Sequence, residues 1–162
     1  MRALVRFNNL AASAVRALVV AAVLVMLIVL AGQILLRYVF NFALTWSEEL
    51  SIALLTWAVL LSVALGVKEC FHVRLSLLIR RLPAAARLRA EQVIHFATAG
   101  VGVFLSCSGW RYFADTRGSV SAAMGYPNEL VHIAALTCGL LITLFALEAA
   151  LEGRVPPDEG QG

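Results

Sequence analysis

Four stretches without a single Asp, Glu, Lys or Arg set the terms for this chain: residues 17–36, 50–67, 92–110 and 130–147. A helix needs about 20 mostly apolar residues to cross the hydrocarbon of a bilayer, and each stretch is close to that length. Only here does composition matter: 61% of the residues are hydrophobic and 14% charged. A soluble domain carries about 25% charged residues, and a chain of 162 residues has no soluble core large enough for the apolar excess. The expected fold is an all-α integral membrane protein with four transmembrane helices. Residues 1–16 form a basic N-terminal segment and residues 17–150 the four-helix domain. Residues 151–162, rich in Gly, Pro and acid, form a disordered tail. The basic start followed by an apolar run resembles a signal peptide, but the run is too long for one and no small-residue cleavage site follows. It is read as a retained first span.

Basic residues orient the bundle. Of thirteen Lys and Arg, ten lie in the N-terminal segment, in the link 68–90 and in the tail. Arg37, Arg111 and Arg117 lie on the other side. Such a bias in short loops places both termini and the central link in the cytoplasm. The net charge of +3 is too weak to argue for nucleic acid. Within the link, Phe71, Leu75, Leu78, Ile79 and Leu82 share one helical face and several arginines lie off it. That pattern predicts an amphipathic helix over 71–82 lying in the interface, against lipid headgroups, and stopped by Pro83.

Little in the chain carries chemistry. There is no glycine-rich phosphate loop and no His-Glu-x-x-His. Cys70, Cys107 and Cys138 have no ligand spacing. His95 and His132 fall near opposite membrane faces, so a shared metal or haem is not expected, and neither is an enzyme. Gln33 is a candidate for interhelical hydrogen bonding, and Gly100, Gly102 and Gly139 for close helix approach. No charge lies mid-span, which argues against an ion-coupled pump acting alone.

The most pointed stretch is 41–49, between the first two spans. Thr45 and Glu48 have the spacing of a capping box, which predicts a helix start at Thr45. Trp46 suits the headgroup level. Arg37 is the nearest opposite charge to Glu48 and Glu49. The expected arrangement pairs Arg37 with Glu48 and turns Glu49, about 100° around the helix, toward a partner chain.

These residues carry a resemblance. Arg37-Tyr38-Val39-Phe40-Asn41 followed by Trp46-Ser47-Glu48-Glu49-Leu50 is similar to the DctQ-like small membrane subunit of tripartite ATP-independent periplasmic (TRAP) transporters. Gly66, His72 and Arg74, then Leu82-Pro83, match the family pattern by position. Ser76 stands where the family has an acid, and the fourth span, after Gly125-Tyr126-Pro127, lacks the common mid-span proline. The resemblance implies a scaffold subunit in a bacterial inner membrane. Its partners would be a large permease subunit, which binds the sodium ions, and a periplasmic substrate-binding protein. It implies sodium-coupled uptake of organic acids such as dicarboxylates or sialic acids, with no cofactor on this chain. It also makes Arg37, Trp46, Glu48, Glu49, His72 and Arg74 the candidate structural or subunit-interface residues. The alternatives are a self-sufficient four-span carrier, which would need charge inside its spans, and a structural subunit of a non-transport complex.

Overall fold

A computed structural model describes residues 2–42, 44–69 and 84–152, with side chains for 6–42, 44–69, 89–90 and 92–150. The helix expected over 71–82, with His72, Arg74 and Ser76, and the tail from 153 lie outside the described residues. Within them are four helices: α1 (Arg2–Val39), α2 (Thr45–Lys68), α3 (Ala84–Asp115) and α4 (Glu129–Glu152). Each is long and apolar enough to cross a membrane. The all-α membrane fold read from the sequence is the fold observed.

The first helix differs from expectation in extent. The basic segment and the first span form one unbroken helix of 38 residues, roughly 57 Å long at 1.5 Å per residue. Nothing in 1–16 breaks it, since neither Gly nor Pro occurs there. The helix ends at Val39, and two residues beyond it Asn41 has a left-handed φ of 55°, a conformation Asn tolerates better than most residues. Two amides, of Phe40 and Phe42, both reach the Leu36 carbonyl at 3.1 Å and turn the chain toward α2.

The helices pack in the order α1, α2, α4, α3, with α4 central. The buried stripe of α4 runs Ala134, Cys138, Ile142, Phe145, Ala149, the spacing of one helical face. Ala64 of α2 meets Cys138 and Ile142 in the core. The tightest seam joins α3 to α4, and its cause is missing side chains. A Cβ on Gly139 would stand 2.5 Å from the Ser106 amide nitrogen, and one on Gly109 2.6 Å from that of Leu136. A Cβ on Gly102 would stand 2.8 Å from the Thr143 nitrogen. Gly102 and Gly139 are therefore contact glycines, as expected, whereas Gly100 faces open space. Without a hydrophobic drive between helices in lipid, such backbone approach is a main source of association. By contrast, α1 leaves its most apolar window uncovered.

Candidate functional site

Two polar clusters join the α1–α2 pair to the α3–α4 pair, one at each end of the bundle. At the end holding the α2 C-terminus, Lys68 donates to Glu148 of α4 with Nζ–Oε2 of 2.6 Å. Their side chains are only 8% and 1% exposed, so the pair is shut off from water. Asn8 of α1, fully buried, donates its Nδ2 to the same Glu148 oxygen at 2.7 Å and weakly to the Leu144 carbonyl at 3.4 Å. The Lys68 ammonium also lies 5.6 Å from the centre of the Phe145 ring, within cation–π range. Three helices thus meet on one carboxylate. A buried charge is tolerated when paired and hydrogen-bonded, and here each partner comes from a different helix. At the surface beside this cluster, Arg16 of α1 pairs with Glu69, the residue after α2.

At the opposite end, the α3–α4 connection builds a receptor for a carboxylate. Residues 119–121 and 126–128 run antiparallel around a bridge between Val120 and Pro127. The Ser121 amide donates to Tyr126 O at 2.9 Å and the Asn128 amide to Ser119 O at 3.0 Å. Gly125, with φ of 69°, closes the tip in a conformation that suits glycine, and its amide reaches Ser121 O at 3.1 Å. The tip leaves a set of donors pointing one way, and Glu49 of α2 fills it. The Glu49 carboxylate accepts the Ser121 hydroxyl, the Ala123 amide at 2.9 Å and the Met124 amide at 3.1 Å. Ser121 is buried. Beside the contact lies a cleft of about 340 Å³ with Ile52, Val120 and Tyr126 among its walls.

Between the clusters, α2 and α4 share two further bonds. Trp57 donates its indole N–H to Leu130 O at 2.9 Å, and the Cys138 thiol lies 3.0 Å from Leu60 O. Tyr112 and His132 make an edge-to-face contact at 4.3 Å near the start of α4. His95 lies toward the other end of the α3–α4 pair, since α3 runs antiparallel to α4 along the Gly102, Gly109 and Gly139 contacts.

The expected site residues are brought together only in part. Arg37 sits exposed in the last turn of α1 and makes no ion pair with Glu48; the partner of Glu48 is Gln33 Nε2, at 3.5 Å. The described ion pairs are Arg16–Glu69 and Lys68–Glu148. Gln33 is interhelical, as expected. Glu49 does not face outward: it is taken by the chain's own loop. Trp46 is exposed in the first turn of α2. The capping box is replaced as well. Leu44 is the N-cap and makes no side-chain cap bond, while the Ser47 hydroxyl donates back to Leu44 O at 2.7 Å. Thr45 is already helical, so its hydroxyl is one position too late to cap.

Lys68, Glu148, Asn8 and Ser121 were not singled out from the sequence. A signal existed for two of them. Lys68 and Glu148 have opposite charge and bound the second and fourth spans on the same membrane side. Asn8 and Ser121 leave no such trace, because small polar residues are common in segments of any role.

The family described as tripartite ATP-independent periplasmic transporters, DctQ component, matches residues 25–155. A protein of Haemophilus influenzae named as a TRAP transporter small permease is 26% identical over 148 residues, covering 88% of this chain and 87% of its own. A C4-dicarboxylate TRAP transporter small permease protein, DctQ, of Vibrio cholerae is 28% identical over 82 residues, or 51% of this chain and 35% of its own.

Proposed function

The chain belongs to the DctQ component family of TRAP transporters, and from that premise we propose that it is the static scaffold of a sodium-coupled organic-acid importer. At the coarser level it is a transporter subunit and a multi-pass protein of the inner membrane. The family associates with a large permease subunit and a binding protein. In the proposed division of labour the large subunit binds sodium and moves the substrate. This chain widens the fixed part of the transporter and helps dock the binding protein. Arg37, Trp46, His72 and Arg74 are proposed to contact the large subunit or the docked protein. Both termini are proposed to be cytoplasmic, on the bias of basic residues. Organic acids are the proposed substrate class, supported by the C4-dicarboxylate in the name of the Vibrio cholerae relative.

The observation that carries this reading is the family match across 25–155. It agrees with the distribution of charge, since all four span centres are free of Asp, Glu, Lys and Arg. A span that carries an ion or an acid through the membrane usually places ionisable groups at that depth. The test is uptake by vesicles holding the large subunit, with the binding protein added, with and without this chain. Sodium-driven uptake only when this chain is present is expected. Uptake by vesicles holding this chain by itself would overturn the scaffold role.

A further inference from the structure

The hairpin 119–128 is fixed at its base by backbone bonds, but its tip is held differently. The Ala123 amide finds its acceptor in the carboxylate of another helix, 74 residues away in sequence. The Met124 amide divides between that carboxylate and the Ser121 oxygen, at 3.1 and 3.2 Å. Ser121 itself is buried and donates to Glu49. Successive N–H groups curled around one point form a nest that favours an anion, and bonds to an ionised acceptor are roughly twice as strong as neutral ones. Glu49 is the one acceptor these three donors share. Glu48, one residue earlier, is turned to Gln33 instead.

We propose that the 119–128 hairpin is a carboxylate-keyed latch, a receptor for one carboxylate that is filled from within by Glu49. Its tip takes the shape seen here only while a carboxylate occupies the nest. The outer face of the bundle then has two states. In the latched state the tip is strapped to the first turns of α2 and the two helical hairpins are tied together at that end. In the released state the donors at Ser121, Ala123 and Met124 are open to water and to any small carboxylate that reaches them. Ile52 and Val120, which wall the adjacent cleft, separate when the strap opens. The core does not depend on the latch, because the α3–α4 glycine seam and the Lys68–Glu148 pair lie elsewhere.

The test uses the purified full-length chain in lipid nanodiscs, with hydrogen exchange read over 119–128 and, as an internal reference, over 136–146. Glu49→Ala should raise exchange at Ala123 and Met124 on the order of tenfold, the loss of charge-assisted bonds, and leave 136–146 unchanged. Sodium acetate, against sodium chloride of equal ionic strength, should slow exchange at the tip in Glu49→Ala and not in the wild type. Glu49→Gln, which keeps the shape but loses the charge, should fall between. Ser121→Ala removes one donor, should give a smaller rise at the same amides, and provides the reading if Glu49→Ala does not fold. Unchanged exchange at the tip in Glu49→Ala and Ser121→Ala would overturn the latch. So would a rise that acetate does not reverse, and so would an equal rise over 136–146, which would make Glu49 a support of the whole bundle.

Discussion

The two ends of the bundle solve the same problem with the same group. Each uses one carboxylate to tie the two helical pairs together. At one end Glu148 is sealed from water and takes a lysine and an asparagine. At the other Glu49 is half-exposed and takes backbone amides and a hydroxyl. The difference lies in what each can lose. Water can replace the partners of Glu49, so that contact can open and close. Water has no ready access to Glu148, so removing the Lys68 ammonium leaves a buried charge under-compensated. The sealed cluster therefore fixes the architecture, while the open one is free to change.

The largest expected effect comes from breaking the sealed pair. Lys68→Ala takes the ammonium away from the buried Glu148 carboxylate and should destabilise the bundle by roughly 3–5 kcal/mol. Unfolding in a titration of denaturing detergent would measure it. Replacing both members by apolar residues of similar volume, Lys68→Met with Glu148→Leu, should recover most of the loss, since buried pairs are often no better than well-packed hydrophobes. A double variant as unstable as Lys68→Ala would mean that the pair contributes more than the avoidance of a stranded charge.

Next in size is the seam between α3 and α4, where the comparison can be sharpened without touching a charge. Gly139→Ala drives a methyl against the Ser106 backbone, which cannot swing aside, and should cost about 1–3 kcal/mol by overpacking. Gly100→Ala on the same pair of helices meets nothing within 4 Å and should be neutral or slightly stabilising, since alanine is the better helix former. Equal losses at both positions would show that helix flexibility, not close approach, is what the glycines supply.

These contrasts also mark what could be read from sequence. Four spans and their order were legible because charge-free stretches of bilayer length have few other uses. Gly102 and Gly139 were legible as contact residues, but Gly100 was equally suggestive and faces outward, and Gly109 was missed. Composition identifies a small residue without saying which side of the helix meets a neighbour. The cap at Thr45 failed for a related reason. Its spacing to Glu48 fits the motif, but the N-cap is Leu44, with an extended backbone, and Thr45 is already the first helical residue, so a shift of one residue reassigns every role in the turn. Ser121 lies 72 residues from Glu49, and Lys68 lies 80 from Glu148. Only the packing of α2 on α4 brings them close, and no local pattern encodes that.

The smallest expected effects belong to the two exposed arginines of α1, and they differ from each other. Arg16 pairs with Glu69, but both side chains are largely wetted, at 64% and 43% exposure. An exposed pair of this kind is worth about 0–1 kcal/mol, and Arg16→Ala with Glu69→Ala in a double-mutant cycle should return a coupling in that range. Arg37 and Glu48 flank the short turn between α1 and α2, and the sequence invites the same assignment. The structure gives Glu48 to Gln33 instead. Their cycle should return no coupling beyond the additivity error of roughly 0.3–0.5 kcal/mol, and the two losses should simply add. Gln33→Ala combined with Glu48→Ala should be weakly non-additive, since a bond at 3.5 Å is at the long end of useful geometry. A coupling above about 1 kcal/mol between Arg37 and Glu48 would mean that the turn closes on a charge pair in the membrane. It would also move Arg37 from the list of proposed partner contacts to the chain's own interior.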